Sequence, residues 1–150
     1  MAEKVEKDMA KTMNVYYNKG TSFGIMPLNL TSDWFKDVRV RQAFMYAIDR
    51  AELCRRARVG NDPALSVVPA GTWAFKDVLG KYAYNVDKAN QLLDEAGWKW
   101  NADHTLRTLP NGEQAILKIP YSQGATFRER EVTIMQPMLA KVGIKVEHNP

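Results

Sequence analysis

Apolar residues recur at helical spacing in several stretches of this chain and alternate at strand spacing in others. Val40, Ala43, Phe44, Ala47 and Ile48 fall at i, i+3, i+4, i+7 and i+8, which predicts an amphipathic helix. Asp37 stands where its N-cap belongs. Asp49 and Glu52 form a capping-box pattern for a second short helix, with Ile48 and Leu53 as its apolar staple. That helix runs to about Gly60. The stretch therefore encodes a helix, a sharp corner and another helix. In NVDKANQLLDEAGW, Asn85 caps a further helix, and Asp87 sits in a first turn that favours acids. Ala89, Leu92, Leu93 and Ala96 make its buried stripe, and Gly97 ends it with Trp98 folding back. Thr126 and Glu129 make a capping-box pattern for a last helix, with Val132, Met135, Leu139 and Val142 as its core face. Pro137 should bend that helix, and Gly143 should stop it.

Alternation marks the strands. Ala115, Leu117 and Ile119 alternate with Ile116, Lys118 and Pro120, and Ile144 to Val146 begins another strand. Strand, helix, strand in that order is a βαβ unit and predicts parallel neighbours. Asn111-Gly112 is a tight-turn signal ahead of it. Near the start, Val15 to Tyr17 and Phe23 to Leu30 suggest two paired strands joined by NKGT, with Pro27 making the second an edge strand. Residues 61–81 carry Pro63, Pro69, Gly71 and Gly80 between short apolar groups, a long irregular excursion of a kind that usually serves function. The fold class expected is α/β, a mixed sheet with flanking helices.

Composition narrows the function. The chain has 150 residues, 45% hydrophobic and 25% charged, and a net charge of +4 from 21 basic and 17 acidic residues. Nucleic-acid binders concentrate basic charge on one face, whereas here acids interleave with bases. A macromolecule-binding module using Arg39, Arg41, Arg50, Arg55, Arg56 and Arg58 is the competing reading, beside a stand-alone structural domain with no ligand. The one cysteine, Cys54, allows no disulfide framework and reads as a buried thiol. His104 and His148 are isolated, so neither metal nor catalytic roles are assigned to them. No phosphate loop, nucleophile triad or carboxylate pair appears, and no catalytic residue, metal or cofactor is called for. No apolar run approaches the roughly 20 residues that span a bilayer, and the start of the chain lacks the apolar region of a signal peptide.

Open α/β sheets bind ligands beyond the carboxyl ends of their strands. The loop Tyr121, Ser122, Gln123, Gly124, Ala125 sits at such a junction, so Tyr121, Ser122, Gln123 and Gly124 are the candidate ligand-binding residues. Trp73, in the irregular excursion, is the tryptophan best placed to stack on a ligand. Trp34 and Trp98 read as core or corner packing.

Three segments in order resemble a known family. WFKDVRVRQAFMYAIDRAEL is similar to the F-x-D-x-R-V-R-Q-A-hydrophobic-x-Y-A-I-D-R segment of bacterial extracellular solute-binding proteins of family 5. YAYNVDKANQLLDEAGW resembles that family's Y-x-Y-D-P-x-K-A-K-x-L-L-x-E-A-G segment, with Asn85-Val86 in place of Asp-Pro. MQPMLAKVGIKVE resembles its I-Q-x-x-L-x-K-I-G-I-x-V-E segment. The match covers roughly residues 22–147. The resemblance implies a non-catalytic component of an ABC importer, periplasmic or membrane-anchored outside the cell. Two lobes of a type-II periplasmic-binding-protein fold would close on a peptide, or on nickel, sugars or opines, and present it to permease subunits. It also implies that this chain is an internal piece, mostly of the second lobe. Residues 1–12 would be a residual helical lead-in and 13–150 the lobe itself, leaving a homodimer of the isolated piece open. The loop at Tyr121 to Ala125 corresponds to one that in dipeptide binders can carry an arginine for the ligand carboxylate. Gln123 stands near that place, and a neutral amide cannot make the charged bidentate pair.

Overall fold

The computed structural model describes residues 8, 9, 12–14, 23–57 and 61–149. The elements delimited within the described residues follow in the order α1 (Val38–Ala47), α2 (Arg50–Ala57), α3 (Val86–Glu95), β1 (Lys99–Trp100), β2 (Arg107–Thr108), β3 (Ile116–Pro120), α4 (Thr126–Ala140) and β4 (Lys145–Asn149). The strands form two ladders of opposite kind. β1 pairs antiparallel with β2, and β3 pairs parallel with β4 in the register Leu117 with Val146 and Ile119 with His148. A bridge between Thr108 and Gln114 and backbone bonds from Arg107 to Gly143 O and from Ala115 to Arg107 O link the two regions. The β3–α4–β4 crossover is the parallel unit that the alternation predicted.

The helix ends are set by the predicted caps. Asp37 accepts the Arg39 amide at 2.8 Å, and Asn85 accepts the Lys88 amide at 2.9 Å. Asp49 accepts the Glu52 amide at 2.9 Å, but the Glu52 carboxylate turns away to Arg55 and Arg56, so only half of that capping box forms. Gly97 closes α3 at φ +84°. Its amide donates to Asp94 and the Trp98 amide to Leu93, each at 2.9 Å, the double bond of a Schellman cap. Gly143, at φ +75°, repeats this pattern after α4, with bonds to Ala140 and from Ile144 to Leu139, each at 3.0 Å.

Helices α1 and α3 pack on each other, α2 packs on α4, and α4 packs on β4. The core joins Val40, Ala43, Phe44 and Ala47 of α1 to Ala89, Leu92 and Leu93 of α3 and Val132, Met135 and Leu139 of α4. Burying each large apolar side chain stabilises the fold by roughly 1.5–3 kcal/mol. Trp34 and Trp98 close one end edge to face, with ring centroids 5.2 Å apart, and the Trp34 indole donates to Glu113 at 3.2 Å. Both are core residues, as expected.

Three expectations are corrected. Residues 23–29 form no strand. Met26 and Leu28 pack against the core while Phe23 and Ile25 face outward, so the in-and-out alternation survives without a ladder. The proposed partner at 15–17 and its turn lie outside the described residues, as does nearly all of the 1–12 lead-in. Cys54 is half-buried on α2 rather than buried. The Thr126–Glu129 capping box is absent: α4 is capped by Ala125 without a side-chain bond. The turn before it, closed by the Ala125 amide on Ser122 O at 3.0 Å, starts the helix one residue earlier than the pattern required. Pro137 is held within α4, which continues to Ala140.

Candidate ligand-binding edge

Both parallel strands end on the same side of the molecule, β3 at Pro120 and β4 at Asn149. The chain leaves β3 through Tyr121, whose amide donates to Asn149 O at 3.3 Å and so extends the ladder by one bond. Ser122, Gln123 and Gly124 are exposed beyond it. Gly124, at φ +81°, reverses the chain into α4, and the Thr126 amide donates back to Gly124 O at 2.9 Å. Four of the five sequence-predicted ligand residues thus share one strand-end edge.

Tyr121 behaves differently from its three neighbours. It is half-buried and packs against the core, and its hydroxyl meets His148 Nδ1 at 2.8 Å. The rings stand edge to face, 5.8 Å apart at 85°. The register explains the contact. Ile119 is paired with His148, so Tyr121, two residues on, projects from the same face as His148 just past the last pair. His148 was not among the predicted site residues. On the other face Glu147 bonds Lys145 at 2.8 Å, which with Lys118 nearby holds the Glu147 carboxyl below its ordinary value.

Trp73 is elsewhere. It is 99% exposed, so its ring rests on nothing in the chain and is not joined to the Tyr121 edge by contact. The excursion that carries it is nonetheless well held. The Arg50 guanidinium donates to Ala64 O, Leu79 O and Tyr82 O at 3.2, 2.9 and 2.8 Å. Val78 and Leu79 amides both reach Leu65 O at 3.0 Å.

The arginines at the α1–α2 corner are spent in the same way. Arg39 holds Asp37 with its guanidinium and Glu95 O at 2.6 Å, Arg41 reaches Phe35 O and Lys36 O, and Arg55 and Arg56 face Glu52. Arg58 lies outside the described residues. A basic face free to grip phosphate is therefore not assembled from these side chains. Arg39, Arg41 and Arg50 thus also serve to satisfy backbone carbonyls.

A concavity of about 410 Å³ lies between α2 and the first half of α4, lined by Arg56, Thr126, Glu129, Arg130, Thr133 and Ile134. Its volume is in the range of small-molecule sites, and five of its six lining residues are polar or charged types. None of the predicted site residues lines it. Among the described residues no three His, Cys, Asp or Glu side chains converge as a metal site would require.

The chain's relatives agree with this architecture. The family model for bacterial extracellular solute-binding proteins, family 5 Middle, matches residues 1–150. The oligopeptide-binding protein AppA of Bacillus subtilis is 35% identical over 124 residues, covering 79% of this chain and 22% of the relative. The dipeptide-binding protein of Escherichia coli is 28% identical over 138 residues, covering 91% and 24%. The structure of Bacillus subtilis AppA in complex with a nonapeptide superposes with a TM-score of 0.72 at 31% identity, over 81% of this chain and 24% of that one. NikA of Brucella suis, in complex with Fe(III)-EDTA, superposes with a TM-score of 0.65 at 26% identity, covering 81% and 24%. The chain spans less than a quarter of the length of these relatives. Its architecture is that of part of a type-II periplasmic binding protein, and the chain belongs to the bacterial extracellular solute-binding proteins of family 5.

Proposed function

We propose that this chain is one lobe, residues 13–150, of the substrate-capture component of an ABC importer. It would hold a peptide or a related small solute non-covalently at the Tyr121–Gly124 edge, outside the cytoplasm, and deliver it to permease subunits without chemical change. The observation that carries this reading is the exposed carboxyl-end edge of the parallel β3–β4 pair, in a chain matched along its whole length by a solute-binding family. Such an edge leaves loop amides, a side-chain amide and a hydroxyl facing solvent, which suits reversible hydrogen bonding. Trp73 would contribute a stacking surface from the excursion only when the ligand, or a second lobe, reaches it.

One lobe offers half a cleft, so affinity should be low, with dissociation constants on the order of 1 mM, about 4 kcal/mol of binding free energy. Calorimetric titration with dipeptides and nonapeptides is expected to give weak, saturable heats that do not depend steeply on salt. Heats for duplex DNA at low salt and none for any peptide would replace this reading with the macromolecule-binding one. Silence for both would leave a structural domain without a ligand.

A further inference from the structure

The Tyr121–His148 pair has a property that Ser122, Gln123 and Gly124 lack: its hydrogen-bonding character changes with protonation. In the neutral tautomer that carries its proton on Nε2, Nδ1 has only a lone pair to offer, and the 2.8 Å contact is then a bond donated by the Tyr121 hydroxyl. The ring proton then sits on Nε2, which has no hydrogen-bond partner in the chain among the described residues. When the imidazole gains a proton, Nδ1 becomes the donor and the Tyr121 oxygen the acceptor. The hydroxyl proton is thereby released to point outward. One neutral outward donor becomes two, one of them carrying positive charge.

We propose that Tyr121 and His148 form an acid-activated contact for a carboxylate group of the ligand at this edge. The inference rests on the reading of the edge as the ligand-binding side. A carboxylate has two acceptor oxygens and a negative charge, and charge-assisted bonds to such a group are about twice as strong as neutral ones. Histidine is the side chain that makes this change between about pH 5 and 8.

The surroundings leave the role to this pair. On β4, Lys145 and Glu147 bond each other on the opposite face. From β3, Lys118 stands in register with Glu147, not with His148. From α4, Arg128 is paired with Glu131 at 2.9 Å, and Glu129 and Arg130 line the separate concavity with Arg56. The loop itself supplies no charge, since Ser122, Gln123 and Gly124 are neutral. Of the described groups named here, His148 is the one placed beside Tyr121 to bring positive charge to a carboxylate at this edge.

The test uses triglycine and triglycine amide as probes, with the His148 ring protons followed by NMR across the pH range. The free acid is expected to raise the midpoint of the His148 titration and to bind roughly ten-fold more tightly at about pH 5.5 than at about pH 8. The amide should do neither. His148→Gln should bind the free acid equally at both pH values, while Tyr121→Phe should keep the pH dependence but lose several-fold in affinity at the acid end. His148 is exposed, so an unchanged melting temperature will show that its replacement has not disturbed the fold. A titration midpoint unmoved by the free acid, or the same pH dependence in His148→Gln, would overturn the proposal. If peptides bind at the edge but acid and amide behave alike, this inference falls and the capture reading stands.

Discussion

The two ends of the β3–β4 pair are built on opposite principles. At the amino end lies Arg107, fully buried. It donates to Val142 O at 3.1 Å, Trp98 O at 2.7 Å, Asp94 Oδ1 at 2.5 Å and Asn90 Oδ1 at 3.0 Å, and its guanidinium lies over the Trp100 ring at 4.5 Å. One side chain thus fastens α3, the β1–β2 hairpin and the corner after α4. At the carboxyl end, Ser122, Gln123 and Gly124 are exposed, and the Tyr121–His148 bond leaves one ring nitrogen open. A polar group buried with all its partners supplies rigidity; polar groups left facing water supply a place to bind. Substitutions should therefore separate stability from binding according to the end they touch.

The largest effect belongs to the closed end. Arg107→Met should destabilise the protein by about 3 kcal/mol or more, read from urea unfolding, because two backbone carbonyls and the Asn90 side chain lose their donors together. The Asp94 partner is 60% exposed, so its charge can be hydrated and the loss should fall near the lower end of the range for broken buried pairs. Gly143→Ala comes next, at roughly 2 kcal/mol. Its backbone is in the left-handed region, and an added Cβ would lie 2.6 Å from Arg107 Cγ and 2.7 Å from Trp100 Cζ3, which forces repacking.

Smaller effects are expected where the contacts meet solvent. Asp37→Ala should cost about 1 kcal/mol through the lost cap. Asp37→Asn keeps a good cap and removes only the charge facing Arg39, so it should cost less and alter the acid limb of the stability profile. The hydrogen bond from Arg39 holds the Asp37 carboxyl below its ordinary value of 3.8, and that from Lys36 does the same for Asp33. Lowered folded-state values mean stability that is fully present above the unfolded-state value and lost as the pH falls through the folded one. The melting temperature should accordingly hold steady to about pH 5 and decline below about pH 4, less steeply in Asp37→Asn. At the open end, Trp73→Ala should change stability by no more than about 0.5 kcal/mol, since the ring is almost wholly exposed. A large loss there would show that the excursion is part of the core.

How much of this was readable in the residues follows from the range of each interaction. Asp37, Asn85, Gly97 and Gly143 act within one helical turn, and each is recognisable from its place beside an apolar stripe. The parallel pairing followed from the order of the final elements, and the Tyr121–Gly124 edge followed from that pairing. Phe23 to Leu30 misled because alternation describes facing, not pairing, and Pro27 lacks the amide a ladder needs. The capping box at Thr126 misled because the preceding turn, not the side chain, sets where α4 begins. Arg107 stands in a polar hairpin with no local sign that partners from three elements will enclose it. His148 meets Tyr121, 27 positions away, only through the cross-strand pairing of β3 with β4, and the concavity beside Arg130 needs the packing of α2 on α4.

The measurement that bears most directly on the open-edge account is a map of backbone amide chemical shifts during titration with a nonapeptide. The account predicts saturable changes centred on Tyr121, Ser122, Gln123 and Gly124 and extending to His148, with the amides around Arg107 unmoved. Changes confined to the concavity lined by Arg56 and Arg130, or no saturable change anywhere, would contradict it.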